Sequence, residues 1–196
     1  MVTHEDLGKI YAMKSIRKDK IIDYQQLEST KLEKTILLNS NHPFIVQMEF
    51  VFQNDVRLYF LMEYVKGGEL FTHIIQKKRF DEESTKFIIA QIALAIGYLH
   101  SKDIIYRDLK PENVLIASDG YIKLIDFGLS RILDMDDMAL TFWGTPEYWS
   151  PEMINEWGHN VSTDWWALGI IVYEMLIGIP PFYDKNREKM FLKIRK

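Results

Sequence analysis

The chain has 196 residues, 24 Lys plus Arg against 28 Asp plus Glu, and a formal net charge of −4. Apolar residues make up 47 % and aromatics 13 %, so a disordered tail, a collagen-like repeat and a generally basic nucleic-acid binder are excluded. Cysteine is absent, which removes disulfides, Cys-bound zinc and a thiol nucleophile.

The opening Met-Val-Thr-His-Glu-Asp is polar and acidic, unlike a signal peptide. The expected location is cytoplasmic, with the nucleus left open. Lys9 to Ile16 reads as a strand. Gln25 to Leu38 reads as a helix whose Glu33, Ile36 and Leu37 share one face. Phe44 to Phe52 and Val56 to Met62 read as strands joined by a hairpin at Gln53-Asn54-Asp55. Gly67-Gly68 then interrupts the pattern.

Helices dominate afterwards. Asp81 is a candidate N-cap for a helix running to about Leu99. Phe87 to Leu99 is apolar almost all round, which predicts burial. Val114 to Ala117 and Tyr121 to Ile125 form a predicted hairpin turned at Ser118-Asp119-Gly120. Residues 127–161 lack periodicity and read as a long ordered loop. Thr163 to Ile177 reads as a core helix. Its apolar run, Trp165 to Ile177, is too short for a bilayer and is interrupted by Glu174. Arg187 to Arg195 begins another helix. The fold class is α+β: a sheet-rich lobe over residues 1–63, a hinge at 64–68, and a helical lobe over 69–196.

Five motifs carry chemistry. Tyr106-Arg107-Asp108-Leu109-Lys110-Pro111-Glu112-Asn113 has the form of a phosphotransfer catalytic loop, and Asp126-Phe127-Gly128 follows it. Tyr11-Ala12-Met13-Lys14 lies on the first strand, and Glu33 lies on the next helix. Gly144-Thr145-Pro146-Glu147-Tyr148-Trp149-Ser150-Pro151-Glu152 completes the set. Their order and placement together are far more specific than any one motif. The sequence resembles the eukaryotic protein kinases over nearly its whole length. Tyr replaces the commoner His at 106, and Ser150 replaces the Ala of the segment that ends in Ala-Pro-Glu. The catalytic loop, Gly-Thr-Pro-Glu-Tyr and Asp164-Trp165-Trp166-Ala167-Leu168-Gly169 are similar to the AGC group, with the cyclic-nucleotide-dependent kinases closest in tone.

The resemblance implies a bilobal fold and Mg-ATP-dependent phosphoryl transfer to Ser or Thr of a protein substrate. Lys14 would hold the α- and β-phosphates and Glu33 would hold Lys14. Asp126 and Asn113 would bind Mg²⁺. Asp108 would accept or orient the substrate proton, and Lys110 would neutralise the γ-phosphate. Tyr106, Phe127, Leu37 and Met48 would form an apolar column between the lobes. Ala12 and Leu115 would sandwich adenine, Glu63 and Val65 would offer backbone groups to it, and Glu69 would reach the ribose. Thr141 would carry an activating phosphate held by Arg107 and Arg131. Glu69, Glu112 and Glu174 would read arginine upstream of the target residue. Thr145 would also touch the substrate. Phe142, Pro146 and Trp149 would line the pocket after the phosphoacceptor. The implied partners are basic-motif proteins and an upstream kinase or regulatory subunit, with no nucleic acid and no membrane span.

The family's glycine-rich loop is absent before Lys14, where Gly8 is the only glycine. Glu152 has no later arginine partner of the expected kind. Truncation at both ends of an active kinase is therefore expected. The alternatives are a chain that has lost catalysis and serves as an interaction module, and a small-molecule phosphotransferase. Residues 144–152, which handle a protein substrate, speak against the last.

Overall fold

The computed structural model describes residues 1–6, 8–23, 26–132, 144–158 and 160–196. The amino-terminal part is a four-stranded antiparallel sheet. It contains β1 (Val2–Thr3), β2 (Ile10–Arg17), β3 (Met48–Gln53) and β4 (Arg57–Glu63), in the order β1-β2-β4-β3. Ala12 faces Met62 and Lys14 faces Phe60 across the β2–β4 ladder. Alternation along a strand places Ala12 and Lys14 on the same face, and both border one cleft. The strand expected from Phe44 starts only at Met48. Residues 44–46 instead bond to Leu124: Leu124 donates to the Phe44 carbonyl, and Val46 donates to the Leu124 carbonyl.

The helix expected over residues 25–38 is present as the second of two, and a short helix that was not expected precedes it. α1 spans Lys18–Asp23 and α2 spans Leu27–Asn39. Six residues are too few to show a helical period, so α1 is invisible in the sequence. On α2, Glu33, Ile36 and Leu37 are all buried, as their shared face requires.

The remainder is mostly helical. α3 (Leu70–Lys77) follows β4. A side chain on Gly67 would strike the Ile116 carbonyl oxygen at 2.1 Å, so glycine allows the backbones to meet there. α4 (Glu82–His100) begins at Asp81, whose carboxylate accepts from Ser84 N at 2.8 Å. The all-round burial expected of α4 does not hold. Phe87 and Leu94 are exposed, Leu94 by 60 %, because one face of α4 looks to solvent. β5 (Ile104–Ile105) pairs with β8 (Arg131–Ile132), and β6 (Val114–Ile116) with β7 (Ile122–Leu124). The segment read as a loop over 127–161 contains β8 and a short helix, α5 (Pro151–Ile154). α6 (Ser162–Ile177) and α7 (Arg187–Arg195) complete the fold.

One apolar cluster runs through both parts. Ile92, Ile96 and Leu99 of α4 meet Leu168, Ile171 and Met175 of α6, and the same cluster includes Leu37, Met48, Tyr106 and Phe127. The Tyr106 and Phe127 rings meet edge to face with centroids 5.3 Å apart. These last four are the residues expected in the apolar column. A satellite cluster joins Trp149, Met153 and Ile154 to Met190 and Ile194 of α7. No described helix is long and apolar enough to cross a membrane.

Candidate active site

Lys14 of β2 reaches two carboxylates. Its Nζ lies 2.6 Å from Glu33 Oε1 and 3.0 Å from Asp126 Oδ1. Burial disfavours its charge, but the two carboxylates outweigh this and hold its pKa above the usual lysine value. Glu33 is buried, and burial pushes its own pKa up against the pull of Lys14. Asp126 is half exposed and adopts φ 57°. That left-handed conformation costs on the order of 1–3 kcal/mol in a residue other than glycine and gathers at functional sites. A side chain on Gly128 would lie 3.3 Å from Asp126 Oδ1 and 3.9 Å from Lys14 Nζ. Glycine thus keeps the lysine–aspartate contact open.

The loop between β5 and β6 presents the second group. Asp108 accepts from Lys110 Nζ at 2.8 Å and from Asn113 Nδ2 at 2.8 Å. The same nitrogen donates to the Asp108 carbonyl at 2.8 Å. Burial raises the Asp108 pKa above the ordinary carboxylate value, while Lys110 and Asn113 oppose the rise. The loop is held from below by Asp164, a residue that sequence reasoning quoted without a role. Asp164 Oδ2 accepts from Tyr106 N at 2.9 Å, and Oδ1 accepts from Arg107 N at 2.8 Å. His100 Nε2 lies 2.7 Å from Oδ2. Asp164 is 1 % exposed. A carboxylate in the first turn of a largely apolar helix was the signal available, since such residues are almost never buried without partners.

A cleft of about 280 Å³ opens beside these groups. Ala12, Val46, Met62, Leu115 and Ile125 supply apolar walls, and Lys14, Glu33 and Asp126 stand among its lining. Glu63 and Val65 line the cleft too. One Glu63 carboxylate oxygen, Oε1, meets Lys123 Nζ at 2.8 Å and accepts from Gln47 N at 3.0 Å. Glu69 is exposed at the start of α3 and pairs by a backbone bridge with Leu115.

Four glutamates form a second electrostatic unit. Glu174 is buried and accepts from the Tyr148 hydroxyl at 2.6 Å. Burial raises its pKa, and Glu112 and Glu147 add to the rise. Burial likewise raises Glu112, with Glu69 and Asp108 contributing. Glu112 Oε2 is buried without a hydrogen-bond partner among the described residues. Arg107 donates from Nε to the Leu129 carbonyl at 2.6 Å. Burial and the nearby Arg131 cation lower its pKa to about 10. Thr145 borders Asp108 in a small void. Thr141 and Phe142 lie outside the described residues.

The protein kinase domain model matches residues 1–196. The chain belongs to the protein kinase family. It is 50 % identical over 186 residues to "Protein kinase 2" of Dictyostelium discoideum, covering 95 % of this chain and 39 % of that protein. It is 45 % identical to "Serine/threonine-protein kinase sgk-1" of Caenorhabditis elegans, covering 98 % and 42 %. It is 46 % identical to the "cAMP-dependent protein kinase catalytic subunit" of D. discoideum, covering 95 % and 28 %. The similarity is to AGC-type serine/threonine kinases. The chain spans less than half the length of these relatives.

Protein kinases generally use ATP and Mg²⁺, and the residues present fit both. The cleft has apolar walls and takes Glu63, Tyr64, Val65 and a lysine into its lining, the pattern of a site that orients a flat ring by a few polar groups. No group of three or more His, Asp or Glu gathers for a metal among the described residues. Mg²⁺ does not need one, because it keeps several waters and takes substrate phosphate oxygens beside one or two protein ligands. The half-exposed carboxylate of Asp126 and the amide oxygen of Asn113 are hard donors of that kind.

Proposed function

We propose that this kinase chain catalyses transfer of the γ-phosphoryl group of ATP to Ser or Thr hydroxyls of protein substrates. The observation that carries this reading is the pairing of Asp108, Lys110 and Asn113 in one loop with Lys14, Glu33 and Asp126 across the cleft. Lys14 holds the α- and β-phosphates and Glu33 fixes its position. Asp126 and Asn113 hold Mg²⁺, which supplies neutralisation of phosphate charge. Adenine sits between Ala12 and Leu115, against the backbone of Glu63 and Val65, with Glu69 towards the ribose. Asp108 orients the attacking hydroxyl and takes its proton. Lys110 balances the negative charge that spreads over the transferred group. Positioning and electrostatics of this kind account for most of the catalysis of phosphoryl transfer. The lobes divide at residues 64–68, and the requirement for ATP suits an intracellular protein.

The reading extends to the substrate. Glu69, Glu112 and Glu174 accept arginine upstream of the phosphoacceptor, and Thr145 contacts the target segment. Their support is the raised pKa of Glu112 and Glu174 and the unpartnered Glu112 Oε2. A guanidinium would satisfy both deficits with paired N–H donors. The test is incubation of the full-length protein with Mg-ATP and peptides that differ only in upstream Arg. Arg peptides are expected to be phosphorylated preferentially. Glu112→Gln should lower kcat/KM for them by roughly 10- to 100-fold, the scale of losing one arm of a desolvated charge pair. It should leave thermal stability unchanged or higher. No Arg preference would sink the specificity. No phosphorylation of any peptide would favour the interaction-module reading.

The Arg107–Arg131 pair is a candidate anion site, and Thr141 phosphate is the proposed anion. A phosphate adds about −1.5 to −2 charges and would relieve the repulsion between the two guanidiniums. Thr141→Ala is expected to lower the activity of the full-length protein by roughly tenfold or more. Unchanged activity after treatment with the upstream kinase would refute this role.

A further inference from the structure

The stacked aromatics beside the catalytic loop carry a cation that the proposed chemistry does not use. A β-carbon on Gly144 would lie 3.1 Å from Asp108 Oδ1 and 3.5 Å from Trp149 Nε1. The edge of the Trp149 indole therefore borders the space next to the Asp108 carboxylate. Trp149 is buried, and its ring stacks on Phe191 of α7 with centroids 5.8 Å apart. The Arg187 guanidinium lies 5.2 Å from the Trp149 centroid and 5.1 Å from the Phe191 centroid. Cation–π contact holds its flat head in place without neutralising it.

Three further facts set Arg187 apart from an ordinary surface arginine. It is exposed and makes no ion pair with any carboxylate among the described residues. The nearby Asp184 carboxylate is engaged by Lys193 at 3.0 Å. Arg187 also opens α7, whose first amides are capped by Asn186. A positive charge in the first turn opposes the helix dipole. A residue that breaks a local rule beside a site marks a functional demand more often than an accident.

We infer that Arg187, held on Trp149, reads an acidic side chain two or three residues after the phosphoacceptor. This rests on the proposed kinase reading, in which the glutamates take the residues before the phosphoacceptor. Successive contacts link Asp108 to Gly144, Gly144 to the Trp149 edge and the Trp149 ring to the guanidinium, which keeps the cation within the reach of a few residues of extended peptide from Asp108. The bulk of Trp149 reduces the room for a large side chain directly after the target. The substrate is thus bipolar: basic before the phosphoacceptor and acidic after it.

The test uses the full-length protein and peptides with a fixed upstream Arg. Asp, Ala or Arg is placed in turn at each of the four positions after the target Ser. Asp at the second or third position is expected to exceed Ala in kcat/KM by about 3- to 10-fold, with Arg below Ala. The advantage should shrink in 0.5 M salt. Arg187→Ala should bring the Asp-to-Ala ratio to one, and Arg187→Glu should invert it. Arg187→Lys, which keeps the charge, should retain part of it. Lys189→Ala, an exposed cation two residues on and roughly 200° around α7 from Arg187, should leave the ratio as it is. An Asp-to-Ala ratio of one in the parent protein overturns the inference while leaving kinase activity intact. So does an Arg187→Ala variant that lowers all peptides equally, which is what a packing role alone would give. Absence of phosphorylation of every peptide overturns the kinase reading and this inference with it.

Discussion

Asp108→Asn in the full-length protein is expected to lower phosphoryl transfer by roughly 10²- to 10⁴-fold, the usual contribution of a positioned proton acceptor. The fold should survive. Asn can keep one acceptor for Asn113 Nδ2, now 2.8 Å from the carboxylate, while Lys110 loses its ionic partner. Stability should in fact rise. Below both its folded and unfolded pKa values Asp108 is protonated in either state and contributes nothing. As pH rises, the unfolded chain ionises first, because burial raises the folded value. The carboxylate therefore destabilises the folded state from the unfolded pKa upward, and fully so above the folded one. Asn removes that cost. The same raised pKa predicts that kcat/KM of the parent protein falls on acidification at a pH above the ordinary aspartate value of 3.8. The acid limb should vanish in the residual activity of Asp108→Asn. The measurements are initial rates against pH and thermal unfolding of both proteins. An Asp108→Asn variant with activity within tenfold of the parent would exclude Asp108 as the proton acceptor.

The candidate site residues were more legible in the sequence than the architecture around them. Asp108, Lys110 and Asn113 lie within six consecutive residues, so one loop positions all three and local pattern suffices. Lys14 and Asp126 are 112 residues apart, yet each lies in its own short motif. The structure brings them to 3.0 Å. The elements that escaped were too short to carry a period. α1 has six residues, while β1, β5 and β8 have two each. Such segments take their form from neighbours, as β5 and β8 do by pairing with each other. α4 shows the opposite error. Its apolar sequence predicts complete burial, but Phe87 and Leu94 face solvent, because composition does not reveal which neighbours surround a helix. The cation–π seat of Arg187 was also invisible, since it joins α7 to Trp149 across 38 residues of chain and depends on ring orientation.

Asp164 was the clearest gap, and it carries the largest expected effect on stability. Its carboxylate accepts two backbone N–H groups, at 2.9 and 2.8 Å, and meets His100 at 2.7 Å. Asp164→Ala would leave the Tyr106 and Arg107 amides without their acceptor in the interior. Each orphaned donor costs about 1–3 kcal/mol, so a loss of roughly 3–5 kcal/mol is expected for the pair. For a chain of this size that is on the order of a 10 °C fall in Tm. Asp164→Asn should also fail, because its Nδ2 would place a donor against either the Tyr106 or the Arg107 amide. The consequence reaches catalysis through geometry. Arg107 sits at φ 67°, a strained conformation for a residue with a side chain, and its N–H is one of the two that Asp164 holds. Releasing that bond lets residue 107 relax and turns the next residue, Asp108, away from its line with Asn113. Activity should therefore fall by at least roughly 10²-fold at temperatures where the variant is still folded, since a misplacement of about 1 Å suffices for that. Far-UV circular dichroism against temperature and initial rates well below Tm separate the two effects. A variant with Tm within 2 °C of the parent and full activity would show that Asp164 does not anchor the loop.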